Sequence, residues 1–137
     1  MRVVLDTNVL VSGIFFAGLP GRVLDAWADG DIQLVLTPGI LDEYRRVCAR
    51  IGESRGVVEH EALLAAIAGH GVLVADTTWD KPITVDPDDD KFMLCALSTG
   101  AVVVSGDTDL LDVSEWEGVE VLTPRDLLDQ IDDSAAV

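Results

Sequence analysis

The chain has 137 residues, 9 of them lysine or arginine and 25 aspartate or glutamate, for a formal net charge of −16. That length suits one domain and leaves no room for a second; with 49% hydrophobic residues it can build a real core, which excludes intrinsic disorder despite the charge. So acidic a chain also argues against loose, charge-driven binding to nucleic acid or anionic membrane.

Short β-branched runs alternate with longer helical patterns along the chain. Residues 2–6 read as a first strand; Asp6 and Asn8 interrupt the apolar start, so it does not read as a signal peptide. The apolar, glycine-rich stretch from Gly13 to Gly21, with Phe15, Phe16, Leu19 and Pro20, reads as a loop entering a helix near 21–29. It suits either a dimer or partner surface or burial within the monomer. A second strand covers 32–36, and Thr37-Pro38 opens a helix over 38–51, an N-cap residue with proline at the first helical position. A third helix is expected over 57–69, stopped at Gly69-His70-Gly71, before a strand at 72–75. Asp86-Pro87 opens a helix over 88–99, followed by strands at 101–105 and 119–122. Thr123-Pro124 starts a last helix over 124–131, and residues 132–137 read as a frayed tail on a single domain spanning 1–131.

Continuous apolar strands of four or five residues suit a sheet covered on both faces. Alternating β and α segments then predict an α/β fold, a three-layer α/β/α sandwich around a parallel sheet of about five strands. Cys48 and Cys95 read as buried reduced thiols, and His60 and His70 are too few and scattered for a zinc site. Trp27, Trp79 and Trp116 read as core or partner contacts rather than platforms for stacked bases. No stretch approaches the ~20 apolar residues of a membrane span, so a soluble cytoplasmic protein is expected. The acid excess, with lysine only at positions 81 and 91, also fits a salt-rich cytoplasm.

The acids fall where a parallel sheet binds ligands, beyond the carboxyl ends of its strands. Asp6 ends the first strand and Asp107 follows the fourth, while Asp88, Asp89 and Asp90 open the helix that feeds it. Glu43 lies in the second turn of the helix over 38–51, at the edge of the stripe formed by Ile40, Tyr44, Val47, Cys48 and Ile51, with Arg46 and Arg50 on its face. Singly, each acid also fits a turn cap, a capping box, a favourable helix-dipole position or a solvated helix edge. Together, an oxygen-only cluster without histidine or cysteine points to Mg²⁺ or Mn²⁺ and to phosphoryl chemistry. Arg45, Arg46, Arg50 and Arg55 hold four of the nine basic charges, as a phosphate clamp or as a face solvated and paired with local acids.

Three segments carry a family resemblance. Leu5-Asp6-Thr7-Asn8-Val9-Leu10-Val11-Ser12-Gly13, Asp86-Pro87-Asp88-Asp89-Asp90-Lys91-Phe92-Met93-Leu94-Cys95-Ala96 and Ser105-Gly106-Asp107-Thr108-Asp109-Leu110-Leu111 resemble the acidic motifs of PIN-domain ribonucleases, in order and at suitable separations. The chain is most similar to the VapC-like toxin components of toxin–antitoxin systems, from about residue 2 to residue 128. That resemblance implies a Mg²⁺- or Mn²⁺-dependent endoribonuclease that leaves a 5′-phosphate and a 3′-hydroxyl, works as a homodimer and meets a cognate antitoxin protein. Its acid set carries over as Asp6, Glu43, Asp89 and Asp107, with Asp109 as a candidate fifth and Asp90 as the alternative to Asp89. Asn8 and Ser105 match supporting positions, and Arg46 and Arg50 are the candidate RNA contacts.

Two other readings compete. A haloacid-dehalogenase-like phosphatase also starts from a strand-end aspartate, but it needs a second aspartate where this chain has Asn8, and it leaves Glu43 without a role. A catalytically inactive PIN module would act by binding alone.

Overall fold

The computed structural model describes residues 1–55 and 60–135. In chain order its elements are β1 (Arg2–Leu5), α1 (Thr7–Phe15), α2 (Gly18–Ala28), β2 (Gln33–Leu36), α3 (Pro38–Arg55), α4 (His60–His70), β3 (Val72–Leu73), a 3-10 turn at Pro87–Asp89, α5 (Asp90–Thr99), β4 (Val102–Val104), α6 (Thr108–Leu111), β5 (Val121–Leu122) and α7 (Pro124–Ala135). The five strands form one parallel sheet in the order β3-β2-β1-β4-β5. The α/β/α sandwich expected from the sequence is therefore the fold.

The central strands are apolar throughout because both of their faces are covered. Val3, Val4 and Leu5 of β1 lie opposite Val102, Val103 and Val104 of β4, and Val3, Val4, Val103 and Val104 are fully buried. Helix α5 packs across β1, β2 and β4 and buries Phe92, Met93, Cys95 and Ala96 there. Helix α7 closes over β5 and α2. From β1 the chain moves outward to β2 and β3, then crosses back to β4 on the other side of β1 before β5. Neighbouring strands β1 and β4 therefore send the chain in opposite directions, which opens a crevice beyond their carboxyl ends.

The structure departs from the sequence reading mainly at the first helix. Residues 7–15 are helical, so the expected loop from Gly13 to Gly21 is instead the end of α1, a joint at Phe16 and Ala17, and the start of α2. The strand's apolar run continues into Val9, Leu10 and Val11 without a polar break longer than Asp6-Thr7-Asn8, which hides the helix start. Gly13 lets the two helices touch: a Cβ there would lie 2.8 Å from both Leu24 Cδ1 and the Pro20 carbonyl oxygen. The chain bends by 93° between α1 and α2, with Ala17 at φ 58° and Gly18 at φ 67°. With ψ at −132°, Ala17 holds a conformation that glycine adopts more readily, at a cost of about 1–3 kcal/mol.

Smaller differences follow from local chemistry. The short helix α6 was not expected; it starts because the Asp107 carboxylate caps it. Helix α7 runs to Ala135 rather than stopping at 131, since 132–135 contain neither glycine nor proline; the last two residues of the expected tail lie outside the described residues. Residues 57–59 of the expected 57–69 helix also lie outside them, and α4 is seen from His60. Cys48 and Cys95 are buried free thiols. Burial pushes Cys48 up to about 11 and Cys95, with the Asp76 charge adding to it, up to about 12, so both stay protonated. Trp27 and Trp116 pack partly against the core, and exposed Trp79 meets Trp116 edge-to-face at 5.0 Å. Among the described residues no single helix is long and apolar enough to cross a membrane.

Candidate active site

The β1–β4 crevice is built around Asp6. Its backbone N–H donates to the Val104 carbonyl at 3.0 Å, which fixes it where the two strands end. Its side chain caps α1: Oδ1 accepts the Asn8 N–H at 3.3 Å, and Oδ2 accepts the Ser105 hydroxyl at 2.7 Å. Fully buried Ser105 uses the same oxygen to accept the Asp107 N–H at 2.9 Å, so one hydroxyl joins both acids. Asp6 is itself only 5% exposed. Burial raises its pKa above the ordinary carboxylate value, the bonds from Ser105 and Asn8 oppose this, and the charges of Asp107 and Glu43 add to it.

Asp107 is half-buried and caps α6 by accepting the Asp109 N–H at 3.0 Å. Asp109 thus contributes its backbone, and its charge is not among those that raise Asp6 or Asp89. Asn8 likewise supports Asp6 through its backbone N–H, while its exposed side chain lines a cavity of about 370 Å³ shared with Ser12, Pro20 and Asp107.

The run Asp88-Asp89-Asp90 divides its labour. Asp90 clamps the preceding loop: Oδ1 accepts the Thr84 N–H and hydroxyl, each at 2.9 Å, and Oδ2 accepts the Ile83 N–H at 3.3 Å. Asp89 instead belongs electrostatically to the crevice. Burial first, then the charges of Asp6, Asp86, Asp107 and Glu43, push it up to about 6. Of the two alternatives left open by the sequence, the structure brings Asp89 to the other acids and turns Asp90 to the loop.

Glu43 reaches the same place from α3. The Thr7 hydroxyl donates to its Oε2, and Lys91 Nζ donates to its Oε1 at 2.7 Å. Arg46 stands 3.8 Å from Oε1 but is 70% exposed, and Arg45 and Arg50 are exposed further along α3; the Arg55 side chain lies outside the described residues. Thr7 and Lys91 were not singled out from the sequence. Lys91 had a signal, being one of two lysines and directly following three aspartates; Thr7 had none beyond its place beside Asp6.

The donor set suits a hard divalent cation: it is oxygen-only, and on top of burial the charges of neighbouring carboxylates raise the pKa of Asp6 and Asp89. Among the described residues, no three carboxylate, imidazole or thiolate groups stand close enough together to grip an ion as they lie.

A family model described as PIN domain matches residues 2–109. The chain is 25% identical over 147 aligned positions to the uncharacterized protein MJ1680 of Methanocaldococcus jannaschii, covering 96% of this chain and 92% of that one. Its fold is similar to VapBC2 from Rickettsia felis bound to a DNA fragment from their promoter, with a TM-score of 0.63, 12% identity, and 90% and 98% of the two chains covered. It is also similar to FitAcB from Neisseria gonorrhoeae, with a TM-score of 0.56, 18% identity, and 89% and 97% covered. A domain of a functionally unknown protein from Methanocaldococcus jannaschii gives a TM-score of 0.55 at 16% identity, with 89% of each chain covered.

Proposed function

The chain belongs to the PIN-domain family, and on that premise we propose that it is a Mg²⁺- or Mn²⁺-dependent endoribonuclease, the toxin of a toxin–antitoxin pair. PIN domains are generally nucleases, which gives the reaction class. The observation that carries the reading is that Asp6, Asp89 and Asp107 lie near enough for their charges to act on one another, raising the pKa of Asp6 and Asp89 beyond what burial does. These three carboxylates are the groups that would hold the ion, and Glu43 stands beside them. When bound, a divalent ion supplies Lewis acidity toward a phosphodiester and makes water a better nucleophile at neutral pH.

The rest of the work falls to the chain. Ser105 orients Asp6 and the turn carrying Asp107, so the two strand ends present their carboxylates at a fixed separation. Arg46 and Arg50, exposed on α3 beside Glu43, contact the phosphates of an RNA strand led toward the acids. A net charge of −16 leaves little non-specific attraction for RNA, so productive binding depends on the ion. The likeness in fold to VapBC2 and FitAcB supports a cognate antitoxin as protein partner and a homodimer as the working assembly, and the cytoplasm is its proposed location. Mapping the ends of RNA cut by the purified chain tests the reading. The expected products carry a 5′-phosphate and a 3′-hydroxyl and appear only with Mg²⁺ or Mn²⁺; cleavage that persists in excess chelator would contradict it.

A further inference from the structure

A lysine stands at the Glu43 side of the site. Lys91 Nζ donates to Glu43 Oε1 at 2.7 Å and to the Asp88 carbonyl at 2.6 Å, and it sits 5.2 Å from the centre of the Phe92 ring. Its side chain is 23% exposed and that of Glu43 16%, so this is a sheltered ion pair rather than a surface contact. The other oxygen of Glu43 is taken by the Thr7 hydroxyl, which leaves neither carboxylate oxygen without a protein donor.

We propose that Lys91 takes the place of a second cation. The site then loads a single divalent ion on Asp6, Asp89 and Asp107, and Glu43 serves as the counter-ion of the lysine rather than as a metal ligand. This rests on the metal-dependent reading above and goes beyond it in fixing the number of ions and the role of Glu43. A divalent ion on Glu43 would have to expel the ammonium or lie beside it, and like charges at that separation repel strongly in a partly buried site. Expelling it also frees the Asp88 carbonyl, so the tether from α3 to the turn that carries Asp89 would be lost. Lys91 is thus a positioning residue for Asp89 and, at the same time, the fixed positive charge of the Glu43 side of the site. A compact ammonium at the end of a flexible stem, with three donors, suits both tasks.

The test is the stoichiometry of Mn²⁺ binding to the full chain, read by calorimetry and by the electron paramagnetic resonance of the free ion. The parent is expected to bind one ion. Lys91→Met, which keeps the apolar stem and drops the charge, is expected to bind two, while Lys91→Arg returns to one. Circular dichroism and thermal melting establish that each variant is folded. Two ions on the parent, or one on a folded Lys91→Met, would overturn the inference and leave metal dependence standing. No Mn²⁺ bound to the parent would overturn the metal-dependent reading and this inference with it. The parent measurement decides even where a variant fails to fold.

Discussion

Asp89 sits where its charge is unwelcome, raised to about 6 by burial and by Asp6, Asp86, Asp107 and Glu43. An acid that holds its proton more tightly when folded stabilises the fold fully below its unfolded value, near 4, and loses that contribution as pH rises through about 6. Without divalent ion, the melting temperature of the parent is therefore expected to fall more steeply with rising pH, between about 4.5 and 7, than that of Asp89→Asn. Equal slopes in a calorimetric scan would contradict the placement of Asp89. Asp6 and Asp107 were legible as candidate site residues because each ends or follows an apolar strand of a parallel sheet, although each also caps the helix that follows it. The difference between Asp89 and Asp90 was not legible, because it depends on Thr84 and Ile83, which take Asp90 into a loop clamp and favour Asp89 as the candidate. The Lys91–Glu43 pair was illegible for a different reason: its partners are 48 residues apart and meet only through the fold.

At the scale of the elements, the strands declared themselves through β-branched apolar runs, although their paired portions are shorter than the runs. Residues at the run ends, such as Asp6 and Ser105, instead serve caps and turns. Helix α1 escaped because its apolar residues continue those of β1, and because Gly13 looks like a breaker. In the fold that glycine is a contact surface, and α2 rests on it. Gly13→Ala is expected to destabilise the protein by about 1–3 kcal/mol, since the Pro20 backbone cannot yield as a side chain would. A urea midpoint equal to that of the parent would show that α1 and α2 are not packed this closely. Because α1 is capped by Asp6, loosening this helix pair is also expected to reach the site.

Considered as a whole molecule, the chain carries −16 with only 9 basic residues to offset its acids. Self-repulsion on that scale opposes the compact state, and added monovalent salt screens it. The melting temperature is expected to rise between about 0.05 and 1 M KCl, where the Debye length shrinks from more than 10 Å to about 3 Å; a fall would mean that exposed ion pairs outweigh the repulsion. The charge balance argues against loose attraction to nucleic acid but does not rule out nucleic acid as substrate, because on the proposed reading a divalent ion would offset Asp6, Asp89 and Asp107. The central claim is that this crevice is a metal-dependent ribonuclease site built on Asp6. Its most direct test is RNA cleavage by the parent and by folded Asp6→Asn, in Mg²⁺ or Mn²⁺ and at matched protein concentration. The account predicts that the parent cleaves RNA and that the variant is slower by roughly 100-fold or more. Equal cleavage by the two proteins would contradict it.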